Sequence, residues 1–374
     1  MKHSLWWTSA VAALLTFSLS STAIAHDGPQ DDTPTERFGT ISALGQNREH
    51  EKVTRAALHC DEKKATADYN CMRPVTLDIF AGARATFGAV GNPDNPVSRW
   101  TSHTPSHCDD MDYLKTYKDA KKYKTHSTAA LKECVKHMWD NFDKAVGEAG
   151  KLASKEGALV EKEMQPTIVS GRVGTPLLGK LDCTFAGNPT TIAKCNALAA
   201  LGAAAHADQD FYSHSNWSDD AGGTTVKDPP ALKKAEIPGF LDFGKGNRSS
   251  INVPEEFSGG CFDEQEKWFL PDFSNHCEKD TTGGDPKDGR VTHKMMNKDE
   301  GDIDPKTGAA TKPTTDRGKK GNNFKNAVNW AIQNTKVNWA AFIKKVQDQY
   351  PGKRGKVIAC AMSYDEPKDC AKIS

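Results

Sequence analysis

NALAALGAAAHADQDFYSHSNW, residues Asn196 to Trp217, opens as an apolar, alanine-rich helix and ends in chemistry. Leu198, Ala199, Ala200, Leu201, Gly202, Ala203, Ala204 and Ala205 leave the helix no polar face, so it belongs inside the protein, closely packed. His206, Asp210 and His214 then follow at intervals of four. Each such interval turns a helix by about 40° and raises it about 6 Å, so the three side chains form one shallow stripe. Burying an aspartate and two histidines is costly unless something pairs them. A divalent metal does this well, because it takes neutral imidazole and ionised carboxylate together. A buried Asp–His hydrogen-bond pair, or a stripe that surfaces as the helix ends, is the competing reading.

Helical periodicity continues on both sides. In Asn47–Cys60, Val53, Thr54 and Ala57 share an inward stripe with His50. That histidine is either a satisfied core residue or a ligand. Pro74–Val90 reads as a helix with proline at its start. A loop rich in Pro, Asn and His follows and carries Asp94, His103 and His107. Ser127 is an expected N-cap for a helix to about Lys151, with Leu131, Val135, Met138, Phe142 and Val146 inside. Lys118–Lys124 is a solvated basic run. GTPLLGKL at 174–181 misses a phosphate-binding loop, because Leu181 stands where Ser or Thr is needed. Residues 218–321 form a long stretch of Gly, Pro, Asp, Lys and Asn, with a short helix expected at 262–270. His276 and His293 lie there, as does an oxygen-rich run with Asn297, Asp299, Asp302 and Asp304. Asn322–Gln349 is a long helix that buries Phe324, Val328, Ala331, Thr335, Trp339, Phe342 and Val346. No strand-like alternation and no repeat appear, so the expected architecture is all-α, a multi-helix domain with long irregular insertions.

The chain has 374 residues, with 49 basic and 49 acidic side chains. A balanced charge offers no general field for nucleic acid or an anionic membrane. The first 25 residues read as a secretory signal, with an apolar Val11–Leu19 and an Ala23-Ile24-Ala25 cleavage site. The expected organisation is therefore a leader (1–25), a polar mobile tail (26–37) and one helical domain (38–374). No other run is long and apolar enough to span a bilayer, and the expected location is secreted or periplasmic. Ten cysteines in an oxidising compartment imply disulfides. Neighbouring cysteines give the expected pairs 60–71, 108–134, 183–195, 261–277 and 360–370.

LGAAAHADQDFYSHSNW resembles the signature of fungal heterokaryon-incompatibility protein C (Het-C) and its secreted bacterial relatives of the CinY type. REHEKVTRAAL resembles their early histidine helix, NPVSRWTSHTPSHCDD their histidine loop, and MMNKDEGDIDP with NNFKNAVNWAIQNT their carboxy-terminal part. Het-C proteins are in turn similar to zinc-dependent phospholipases C and single-strand nucleases, which are all-helical enzymes with a three-zinc cluster. The resemblance implies metal ligands at His50, Asp94, His107, His206 and Asp210, with Asp210 bridging two zinc ions and His103 as the alternative to His107. It puts His214, with His293, at a third metal. Two departures count against that third site. The phospholipases use an amino-terminal tryptophan ligand, where this chain has His26, and a helix carrying histidine and glutamate, where this chain has Asn322 and Asn323.

The implied function is a secreted, zinc-dependent phosphoric-ester hydrolase of phospholipase C type. Asp94 or Asp210 would orient the attacking water, the substrate would be a phospholipid or other phosphoric ester, and contact with a membrane would be peripheral. Trp100, Tyr212 and Trp217 are candidates for an aromatic cage around a choline group. A zinc-dependent nuclease is the alternative, disfavoured by the neutral charge balance. A non-enzymatic secreted recognition protein is the third reading.

Overall fold

A computed structural model describes residues 48–60, 69–83, 87–95, 98, 103–164, 183, 185, 192–233, 240–246, 248, 253–261, 277 and 289–373. The expected leader and tail, the 174–181 near miss, the 262–270 helix, Trp100 and His276 lie outside those residues. The fold is all-α. Its helices are α1 (Glu49–Leu58), α2 (Pro74–Ala81), α3 (Thr104–His107), α4 (Ala120–Ala149), α5 (Glu161–Met164), α6 (Ala193–Ser213), α7 (His293–Met296), α8 (Asn323–Gln349), α9 (Lys353–Ser363) and α10 (Pro367–Ala371). One antiparallel pair, β1 (Asp302–Ile303) and β2 (Ala310–Thr311), is the only sheet among the described residues.

The alanine-rich α6 is the central element. It packs against α4 along much of its length and also against α8, α3 and α2, and Ala197, Leu198, Leu201, Ala204, Ala207 and Phe211 are all buried. Small side chains let neighbouring backbones come close. The tightest approach is at Gly202, where a Cβ would sit 2.4 Å from the carbonyl carbon and oxygen of Ala89. Only glycine fits there, and the strand of chain it admits leads directly to Asp94.

That approach also corrects the expected 74–90 helix, which ends at Ala81. Gly82 and Gly88 adopt positive φ (100° and 64°), and the chain folds back so that Ala89 N–H donates to Ile79 O and Val90 N–H to Phe80 O. A short 3₁₀ turn, Asn92–Asp94, follows. A second correction concerns α4. It starts at Ala120, capped by Asp119 accepting from Lys122 N–H. Ser127, the expected cap, is buried within the helix and donates to Met111 O. The stripe expected on α8 is buried in full, and all five disulfides join the expected neighbours.

The irregular segment after α6 is held by buried charge. Asp219, 1% exposed, accepts from Arg317 Nε (2.8 Å) and Nη2 (2.6 Å). Lys298 is fully buried, with Nζ 3.2 Å from Asp219 Oδ1 in an ionic contact outside hydrogen-bond geometry. Lys298 also donates to Ser215 O, and burial pushes its pKa down to about 8. Arg317 further donates to Pro229 O. One carboxylate thus joins the loop after α6 to two cations from the segment between α7 and α8.

Candidate metal centre

Five separate stretches of chain deliver the candidate ligands. α6 carries His206 and Asp210, both nearly inaccessible to solvent, and His214 closes its carboxy-terminal end. α1 supplies His50, and the 3₁₀ turn supplies Asp94. α3 ends on His107, and α7 begins on His293. Between His107 and Asp109 stands Cys108, at φ 49° in the left-handed region and bonded to Cys134 of α4. Asp110 is also left-handed at φ 63°. The reversal at Cys108 turns His107 and Asp109 toward different clusters.

In the first cluster four atoms face one point. His107 Nδ1 and His206 Nε2 are 3.1 Å apart. Asp210 Oδ2 lies 3.1 Å from the former and 2.9 Å from the latter. Asp94 Oδ1 lies 3.6 and 3.5 Å from the same two nitrogens. Metal bonds of about 2.0–2.1 Å in a tetrahedron place ligand atoms about 3.3 Å apart. The observed separations scatter around that edge. The remaining oxygens of the two carboxylates turn to His50, whose Nε2 is 3.0 Å from Asp210 Oδ1 and 3.7 Å from Asp94 Oδ2. Asp94 Oδ2 is buried and has no hydrogen-bond partner. Both carboxylates therefore present one oxygen to the His107–His206 pair and the other to His50.

A second cluster adjoins the first. Asp109 Oδ1 is 2.9 Å from His293 Nδ1 and 4.0 Å from His214 Nδ1, which is also 4.0 Å from Asp210 Oδ1. His214 Nδ1 is buried without a hydrogen-bond partner. On the other side of the ring, His214 Nε2 is 3.1 Å from Asp299 Oδ2. A carboxylate behind a histidine is a common way to orient a metal ligand and raise its basicity. Three groups of ligand atoms among the described residues, each within 4.8 Å, could hold a metal ion: His50, Asp94 and His206; His107, His206 and Asp210; Asp109, His214 and His293. The edge lengths, the buried partnerless atoms and the mixed His/Asp donors fit a multinuclear centre.

Electrostatics agree. Burial opposes charge on Asp210, yet His206, His50, His214 and the His107 hydrogen bond hold its carboxyl well below the usual range. Burial likewise disfavours the His50 cation, but Asp210 and Asp94 raise it to about 10. His107 rises to about 8 against burial through Asp210 and Asp94. His206 is lowered by burial. Asp208, on the opposite side of α6, is raised to about 8 by burial and accepts from Asn334 Nδ2. In the metal-free protein the raised histidines stabilise the fold fully below about pH 6.5 and lose that contribution as pH rises toward 8 and 10. Asp208 has the same sign, because its folded form keeps a proton that the unfolded chain releases above about pH 4. Stability without metal should thus fall from pH 6.5 to 8, each of the three groups losing on the order of 1–2 kcal/mol. Saturating zinc should flatten that slope, because ligation requires the deprotonated rings. Urea unfolding at several pH values with and without chelator measures both. Equal slopes would contradict the assignment.

The sequence-predicted ligands His50, Asp94, His107, His206 and Asp210 converge, and His214 and His293 meet in the adjoining cluster. His103 does not join them. Its Nδ1 pairs with Ser106 Oγ at 2.8 Å, and its ring lies beside His137. The expected aromatic cage is also corrected. Tyr212 and Trp217 are buried in the core among Phe211, Phe240 and Phe257, and Tyr212 Oη accepts from Phe240 N–H. Of the oxygen-rich run, Asp299 reaches the site, whereas Asp302 pairs with Lys312 and Asp304 caps a turn. Sequence reasoning missed Asp109 and Gln209. Both adjoin recognised ligands, in HCDD and DQD, and adjacency was the available signal. Compared with protein-family models, with curated proteins and with solved structures, the chain matches none.

Proposed function

We propose that the protein is a secreted zinc-dependent phosphoric-ester hydrolase with a binuclear core at His50, Asp94, His107, His206 and Asp210, akin to the Het-C and phospholipase C resemblance of its sequence. The observation that carries this reading is the pair of carboxylates, each shared between His50 and the His107–His206 pair. Two divalent ions bound there would polarise a phosphoryl oxygen and acidify water beside it. The chain's own part is positioning. Asp210, at 2% exposure, is the fixed buried anchor. Asp94, more open at 16% side-chain exposure, is the carboxylate that solvent reaches, and so the better placed to orient an attacking water. His214, His293 and Asp109 would hold a third ion beside the core, with Asp299 orienting His214 from behind. Five disulfides fit export to an oxidising compartment, and no described helix is long and apolar enough to cross a membrane.

Elemental analysis of purified protein, followed by assays on phosphatidylcholine, bis(4-nitrophenyl) phosphate and single-stranded DNA, tests the proposal. Two or three zinc ions per chain with chelator-sensitive diester hydrolysis is the expected result. Activity confined to DNA would make it a nuclease. Zinc without turnover of any ester would leave a metal-stabilised recognition protein. Absence of bound metal would end the reading.

A further inference from the structure

We infer that Gln209 is a positioning residue that selects which ring nitrogen His50 presents to the metal pair, and so sets the affinity of the half-site built from His50, Asp94 and Asp210. The inference rests on the metal-site reading above. Gln209 sits on α6 between His206 and Asp210 and is 2% exposed. Its side chain is engaged on three sides. Nε2 lies 3.1 Å from Thr54 Oγ1 of α1 and 3.1 Å from Thr335 Oγ1 of α8. Oε1 lies 2.9 Å from His50 Nδ1. An amide has two N–H donors and one carbonyl acceptor. With both donors directed at hydroxyls, the carbonyl faces the imidazole and calls for a proton on Nδ1. The neutral ring then has its lone pair on Nε2, the atom 3.0 Å from Asp210 Oδ1. That is the tautomer a metal needs.

The opposite amide orientation is chemically complete as well. The two threonine hydroxyls would donate to the carbonyl, the amide N–H would donate to His50 Nδ1, and the ring proton would move to Nε2, against Asp210. That arrangement keeps every hydrogen bond but blocks the metal. Gln209 with its two threonines is therefore a two-position selector, and the observed position is the metal-ready one. Asp94 and Asp210 cannot make this choice, because a carboxylate accepts a proton from Nε2 as readily as it shares a metal with it.

Glutamate at 209 can only accept from Nδ1 and so enforces the ready tautomer, with the threonine hydroxyls donating to it. Leucine removes the selector at similar volume. Metal binding is read by zinc titration of the chelator-stripped full chain against a competing chelator, with wild type, Gln209→Leu and Gln209→Glu side by side. Gln209→Leu should weaken one zinc step by about 10–100-fold, the usual effect of removing a group that orients a ligating histidine, and leave the other steps unchanged. Gln209→Glu should hold that step at wild-type affinity or tighter. Thr54→Val combined with Thr335→Val frees the amide to turn and should fall between them. A purely structural Gln209 predicts the reverse ranking, with a buried glutamate as harmful as leucine or more so. That ranking, or a Gln209→Leu chain titrating like wild type, overturns this inference and leaves the metal site standing. A wild-type chain that takes up no zinc overturns both.

Discussion

Asp210→Asn is expected to strip the protein of its paired metals. The side chain keeps its shape but loses the charge shared between the His107–His206 pair and His50. An amide offers one oxygen and turns N–H donors toward whichever ion the nitrogen faces. Zinc content should drop from two or more per chain to one or fewer. Diester hydrolysis should fall at least about 100-fold, the scale of losing one preorganised electrostatic contact. The melting temperature in zinc should fall toward that of chelated wild type. A site occupied at 100 times its dissociation constant adds about 2.7 kcal/mol to the folded state, and the variant forfeits it. If Asp210 served only as a hydrogen-bond acceptor for histidines, the amide would still accept. Metal content and melting would then match wild type, and elemental analysis of the two proteins from one zinc buffer separates these outcomes.

Asp219→Ala should be the most destabilising change away from the centre, by about 3–5 kcal/mol, because it leaves the buried Lys298 without its anion and Arg317 with only the more exposed Asp228. Lys298 and Arg317 are 0% and 3% exposed, and Asp219 is the carboxylate they share. The effect should also reach the site. Asp219 lies just beyond His214 in the chain, and Lys298 immediately precedes Asp299, so the same carboxylate holds both halves of the His214–Asp299 pair in place. Chemical denaturation at pH 7 measures the loss. Pairing Asp219→Ala with Lys298→Met should recover part of it, since apolar replacements of similar volume often match a buried ion pair. A loss below about 1 kcal/mol would mean that the network behaves like a surface pair.

How much of this was legible in the sequence follows from the range of each interaction. His206, Asp210 and His214 share a helix whose period alone aligns them, so their stripe could be read directly. The apolar stripe with Val53 and Ala57 turned His50 inward but left it either a core residue or a ligand, and the resemblance to known families chose between the two; the disulfides followed from the spacing of neighbouring cysteines. Asp94 and His107 needed the resemblance to known families, because a loop's path is set by contacts distant in sequence. Here those contacts are Gly202 against Ala89 and the bond from Cys108 to α4. Asp109 was hidden because its direction depends on a left-handed residue, Cys108, that is not glycine. The helix 74–90 was drawn too long because its apolar residues continue through the turn after Gly82. His103 stood as the less favoured alternative to His107, since the two lie four apart in the same loop and only the tertiary setting separates them.

The linkage of Cys108 to Cys134 gives the protein's maturation a direction. The residues on either side of Cys108 serve different clusters, and both sulfurs are sealed from solvent in the folded chain. In a reduced chain His107 and Asp109 hang from a backbone whose unusual turn has lost its tether, and the cost of ordering them would fall on any metal that binds there. Once the bond has formed and the core has closed over it, reductants no longer reach it. On the proposed metal site, oxidation would therefore precede metal binding, and an occupied centre would mark a chain whose Cys108–Cys134 bond had already formed.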